Sequence, residues 1–269
     1  MSGMIKYFER ADMVKLDDSM CELRTDMVMP RSPRAYAVLG PSWLTEGMRV
    51  KAWANRLAKD DVASIVVHFP GHGVSEGPLG VINLDQQVEA LHRGRDILLS
   101  TQSNGSRSVA YGGSSGGYTA ALHAAAHDPA ACAVFGISPF HSLQAYRPFQ
   151  NPAVQKAAEL CSAYSQKVDL SSLDGRTNCT IPLDVAGSLS HLYRINLDLI
   201  APNISVPLLI GFGKDDDVVD SGYVHRFLEL VDTPRDDVHA HGFDGAGHTL
   251  EGLDAHVEDL ISGFVRRYL

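Results

Sequence analysis

The sequence predicts an α/β architecture, a mostly parallel central sheet with helices on both faces. Three observations carry this expectation. Short apolar runs alternate with longer segments whose apolar residues recur at helical spacing, the order that a parallel sheet with crossover helices requires. Glycine, proline and asparagine mark turns between these segments, as in Pro70-Gly-His-Gly73 and Asn104-Gly105. A chain of 269 residues, 45% hydrophobic and 20% charged, also holds enough apolar material for a sizeable core.

Taken in order, Val14 to Met29 reads as an antiparallel hairpin at the sheet edge, and Tyr36-Ala-Val-Leu39 as the first buried strand. Helical spacing from Glu46 to Lys59 leads into the β-rich run Ala63-Ser-Ile-Val-Val-His-Phe69, completing one βαβ unit. Asn83 is placed to cap a helix carrying Leu84, Val88, Leu91 and Leu98 on one stripe. Ser108-Val-Ala-Tyr111 then starts a strand, and the alanine-rich TAALHAAAHDP segment reads as a tightly packed helix stopping at Asp128-Pro129. Further strands are expected at Ala131–Ile137, Val206–Phe212 and Val238–Gly242, with a closing amphipathic helix from Leu250 to Tyr268. Between Ser138 and Asn203 the alternation gives way to proline-punctuated and helical-looking segments, which read as an insertion over the sheet. The expected division is a core of residues 1–138 and 204–269 and a lid or cap of 139–203.

Composition narrows the function. A net charge of −9 with no concentrated basic patch disfavours nucleic acid and anionic membranes as partners. The amino terminus lacks a signal-peptide pattern and no segment reaches membrane-spanning apolar length, so a cytoplasmic location is expected. Cys21, Cys132, Cys161 and Cys179 are dispersed without metal-ligand spacing, which points to reduced thiols and no zinc site.

The segment Tyr111-Gly-Gly-Ser-Ser-Gly-Gly-Tyr118 joins an expected strand to its crossover helix, so it is not a flexible linker. A G-x-S-x-G pattern in that context is a nucleophile elbow: the serine stands on a strained turn between small neighbours. Two registers fit, one centred on Ser114 (Gly112 to Gly116) and one on Ser115 (Gly113 to Gly117). The first register puts Gly116-Gly117 at the helix start and keeps Tyr118 out of the turn, so Ser114 is the expected nucleophile. A serine hydroxyl needs a base within hydrogen-bond reach and an acid to orient that base, and the chain order Ser, Asp or Glu, His supplies both. A carboxylate leaves the carboxyl edge of the sheet in Gly213-Lys-Asp-Asp-Asp-Val-Val219, and His248 stands on the glycine-rich loop Asp244-Gly-Ala-Gly-His248 before the last helix.

Together with the Pro70-Gly-His-Gly-Val-Ser75 turn, these segments resemble the α/β-hydrolase superfamily, in particular its lid-bearing serine esterases, monoacylglycerol-lipase-like hydrolases and thioesterases. The resemblance covers nearly the whole chain outside the insertion and implies an α/β-hydrolase fold with a lid between the sixth and seventh strands. It places the acid of the family's G-x-x-D pattern at Asp216, with Asp215 and Asp217 as neighbouring registers, and the terminal histidine at His248. In the family a backbone N–H in the loop after the first parallel strand binds the oxyanion, but here that loop reads Leu39-Gly-Pro-Ser-Trp43 and Pro41 has no N–H. The expectation is therefore either a backbone donor shifted to Ser42 or Trp43, or a hole that relies on the Ser115 N–H and the Ser42 hydroxyl. No metal or organic cofactor is required by this scheme.

The expected activity is hydrolysis of a small or medium carboxylic ester through an acyl-enzyme on Ser114. An acyl-thioesterase is the alternative, with a C–C bond hydrolase or peptidase behind it and a non-catalytic receptor or scaffold as the non-enzyme reading. Phe140, Tyr146, Phe149 and Tyr164 either line an acyl pocket or form the insertion's own small core. His239 and His241 share a strand face but lack a third ligand and read as structural, as do His68 and His72 beside the PGHG turn.

Overall fold

A computed structural model of the chain describes residues 7–15, 22–43, 45, 47–72, 75–101, 108–142, 145, 185–192 and 194–269. The strands are β1 (Tyr7–Lys15), β2 (Glu22–Pro30), β3 (Ala35–Gly40), β4 (Val62–Val67), β5 (Val109–Ser114), β6 (Ala131–Ile137), β7 (Leu208–Gly213) and β8 (Val238–Phe243). They form one eight-stranded sheet in the order β1-β2-β4-β3-β5-β6-β7-β8. β1 pairs antiparallel with β2 and β2 antiparallel with β4, while every later pairing is parallel. The edge hairpin is longer than Val14–Met29. The charged residues of YFERADMVK mask the strand pattern in β1, which nevertheless pairs along its whole length from Tyr7–Pro30 to Lys15–Glu22.

The helices are α1 (Met48–Ala58), α2 (Leu84–Ser100), α3 (Gly116–His127), α4 (Val185–Leu192), α5 (Leu197–Ile200), α6 (Ser221–Leu230) and α7 (Asp254–Tyr268). Asn83 caps α2 as its sequence position predicts, its side chain accepting the Gln86 N–H. The strands β3, β4, β5 and β7 are buried at every residue because helices cover both faces, which explains their continuous apolar runs. Alternate residues divide the core: Tyr36 and Val38 face a cluster with Leu91, Leu122 and Phe227. Ala37 and Leu39 face the other, with Trp53 and Leu57 of α1 and Phe264 of α7. This is the α/β-hydrolase architecture.

The described chain between β6 and β7 includes His141, Ser142, α4 and α5, with Ser142 bridged to Asn196. The rest of the expected lid, including Tyr146, Phe149 and Tyr164, lies outside the described residues. No described helix is long and apolar enough to cross a membrane.

Candidate active site

The parallel strands deliver their carboxyl ends to one edge, and the predicted segments meet there. β5 continues its ladder through Ser114, which pairs with Ile137 of β6. The turn residue is the next one, Ser115, with φ 50° and ψ −120°. A non-glycine residue in that region carries backbone strain, the hallmark of an elbow that thrusts its side chain out of the sheet. Ser115 Oγ lies 3.0 Å from His248 Nε2.

The register chosen from sequence is therefore corrected by one residue. Ser114 ends the strand, is 3% exposed, and has its hydroxyl 3.2 Å from Ser42 Oγ. The physical reason lies in the ladder: both registers place glycines around the serine, but where β5 stops pairing decides which serine occupies the turn. The expected oxyanion donor changes with it. The Ser115 N–H donates to the Ile137 carbonyl at 2.8 Å and is not available to a substrate. The next N–H belongs to Gly116, the first residue of α3, which has no intrahelical acceptor and sits at the positive end of that helix.

His248 follows β8 on a loop, and its Nδ1 donates to Asp216 Oδ2 at 2.8 Å. That leaves Nε2 as the acceptor facing Ser115. Asp216 follows β7 and is 3% exposed. Its Oδ1 accepts the N–H groups of Val218 and Val219, both at 2.8 Å, so the carboxylate is fixed on both oxygens. Asp215 and Asp217 are exposed. The two loops are also tied through their backbones, Lys214 N–H to the Phe243 carbonyl and Asp215 N–H to the Ala246 carbonyl. Arg49 of α1 holds the histidine loop from outside, donating to the Thr249 carbonyl at 2.7 Å and to Asp254 Oδ1 at 2.9 Å.

The loop after β3 closes the other side of Ser115. Pro41 is buried, and its carbonyl packs onto Gly117, where a Cβ would come within 2.2 Å of the Gly40 and Pro41 oxygens. The Trp43 indole lies over Gly116, where a Cβ would approach its ring to 2.0 Å. Trp43 Nε1 donates to Gln87 Oε1 of α2 at 2.8 Å, and its ring centroid is 5.1 Å from that of Phe140. The sequence places Gly116 at the helix start without a catalytic role and gives Gln87 none; the overlapping second G-x-S-x-G register is the available signal for Gly116. The Ser42 hydroxyl is turned to the Ser114 carbonyl and hydroxyl, both at 3.2 Å.

Three of the other histidines have structural partners. His68 Nε2 pairs with Asp26 at 3.2 Å, and this hydrogen bond holds the Asp26 carboxyl down to about 2. His72 Nδ1 donates to the Pro70 carbonyl, and His239 bonds Tyr268. Among the described residues no group of three His, Cys, Asp or Glu side chains is arranged to hold a metal ion.

The family model described as serine aminopeptidase, S33, matches residues 32–188, more than half of the chain. No curated protein matches the chain by sequence. Among solved structures, the α/β hydrolase GrgF from Penicillium sp. sh18 superposes with a TM-score of 0.81 at 14% identity, covering 97% of this chain and 98% of that one. Est1E from Butyrivibrio proteoclasticus, solved with ferulic acid, gives 0.72 at 16% identity over 96% and 99%. A monoacylglycerol lipase from Paleococcus ferrophilus gives 0.73 at 16% identity over 92% and 100%. At these identities the likeness is one of fold.

Proposed function

Because the chain belongs to the serine aminopeptidase S33 family of α/β hydrolases, we propose that it is a serine hydrolase with Ser115 as nucleophile, His248 as base and Asp216 as orienting acid. The observation that carries this reading is the continuous hydrogen-bonded line from Ser115 Oγ through the His248 ring to Asp216. Ser115 Oγ attacks the substrate carbonyl carbon while His248 Nε2 takes its proton. The oxyanion is met by the Gly116 N–H, the positive end of α3 and, as second donor, the backbone N–H of Ser42. The imidazolium returns its proton to the leaving oxygen, an acyl-Ser115 ester remains, and water activated by the same imidazole releases the acid and restores the hydroxyl.

A small or medium carboxylic ester is the substrate we propose. Est1E, solved with ferulic acid, and a monoacylglycerol lipase share the fold, and the apolar wall of Trp43 and Phe140 beside Gly116 suits an acyl group. The family's description names an aminopeptidase, so aminoacyl amides and acyl thioesters belong in the same panel. Hydrolysis rates for matched ester, thioester and amide substrates of increasing chain length test the assignment. Ester turnover abolished in Ser115→Ala supports it; faster amide than ester turnover overturns the ester preference, and undiminished turnover in Ser115→Ala overturns the nucleophile.

A further inference from the structure

Resting on that reading of Ser115, we propose that Ser114 is a positioning residue whose hydroxyl, paired with Ser42, holds the Pro41-Ser42 segment at the distance the oxyanion requires. Pro41 removes the N–H that the backbone would otherwise offer at this point of the loop. The segment is instead fixed through side chains. The Ser42 carbonyl accepts from Thr45 Oγ1 at 2.9 Å, and Ser42 Oγ reaches both the carbonyl and the hydroxyl of Ser114 at 3.2 Å. One hydroxyl carries one proton, so both contacts are satisfied together when Ser42 donates to the Ser114 carbonyl and Ser114 donates back to Ser42 Oγ.

The pair is thus a strut between the loop after β3 and the last residue of β5, one position before the strained elbow. Ser114 is 3% exposed, so its hydroxyl serves this contact and not solvent. Oxyanion donors act over a narrow distance range, and a small retreat of the loop weakens transition-state binding while leaving ground-state binding nearly unchanged. The strut acts on turnover more than on affinity.

The test is a double-mutant cycle on the full chain with the best ester of the panel, using Ser114→Ala, Ser42→Ala, the double variant and Ser42→Thr. Kinetics, thermal midpoint and phosphonate labelling of Ser115 are measured for each. The proposal expects kcat to fall about three- to tenfold in each single alanine variant, the range for one lost hydrogen bond, with KM within about twofold. It expects the double variant to be no worse than the poorer single, and Ser42→Thr, which keeps the hydroxyl, to retain kcat. Wild-type kcat in Ser114→Ala, multiplicative losses in the double variant, equal losses in Ser42→Thr and Ser42→Ala, or coupling seen only in the thermal midpoint would each overturn it. A wild-type chain that takes no phosphonate label fails the hydrolase reading itself; a labelled chain indifferent to Ser114→Ala fails the strut alone.

Discussion

Asp216 Oδ2 stands 2.8 Å from His248 Nδ1, although the two residues leave the sheet on separate strands. The carboxylate is held at its other oxygen by two backbone N–H groups, so it orients the imidazole from a fixed position. Replacing it with an amide keeps the shape but lets the ring adopt the wrong tautomer. Asp216→Asn is expected to lower kcat by about 10² to 10⁴, while Asp215→Asn and Asp217→Asn, both on exposed side chains, stay within about threefold of wild type. Steady-state kinetics of the three variants check this.

Gly116 lies against the Trp43 indole so closely that a methyl group would meet the ring at 2.0 Å. Gly116→Ala is expected to lose activity by about tenfold or more through displacement of the loop that carries Ser42. Adding Trp43→Ala opens the space and should restore part of that loss, against the usual expectation that two damaging substitutions accumulate. Comparing kcat/KM of the single and double variants reads the effect.

Arg49 joins α1 to the histidine loop through the Thr249 carbonyl and Asp254. The ion pair contributes little, because Asp254 is 58% exposed at its side chain. The bond to Thr249, adjacent to His248, matters more for placement. Arg49→Ala should reduce stability by less than about 1 kcal/mol yet lower kcat several-fold, a split that thermal melts and kinetics reveal side by side.

Stability is expected to fall below pH 6.5. Burial pushes His123 on α3 and His141 after β6 from 6.5 down to about 4. His127 lowers the His123 value further and Asp85 opposes it; Asp198 and Arg226 act on His141 in opposite directions. Since the folded values are depressed, the unfolded chain binds more protons between pH 6.5 and 4, and the folded form loses on the order of 3 kcal/mol per imidazole across that window. Asp26 contributes its loss only lower, between 3.8 and about 2. Urea midpoints measured from pH 7 to 4 should slope downward, and His123→Gln or His141→Gln should flatten the slope.

Much of the fold was legible because buried parallel strands are continuous apolar runs: Ala35–Gly40, Val62–Val67 and Leu208–Gly213 announce themselves. The meeting of Asp216 with His248 was legible because each follows a strand on a recognisable loop. The serine register was not, since YGGSSGGY offers glycine neighbours to both serines and only the ladder between Ser114 and Ile137 shows where the strand ends. The proposed oxyanion donor moves with it, to the Gly116 N–H, because the Ser115 N–H is spent on the Ile137 carbonyl. No local pattern could foretell the Trp43–Gln87 bond, which joins residues 44 positions apart.

On the proposed mechanism Ser115, and not its neighbour, attacks the substrate. Reaction of the full chain with a fluorophosphonate, followed by fragmentation of the peptide that spans Tyr111 to Tyr118, reads it directly. A single adduct is expected on Ser115, absent from Ser115→Ala and retained in Ser114→Ala; an adduct on Ser114, or labelling that survives Ser115→Ala, would show that Ser115 is not the nucleophile.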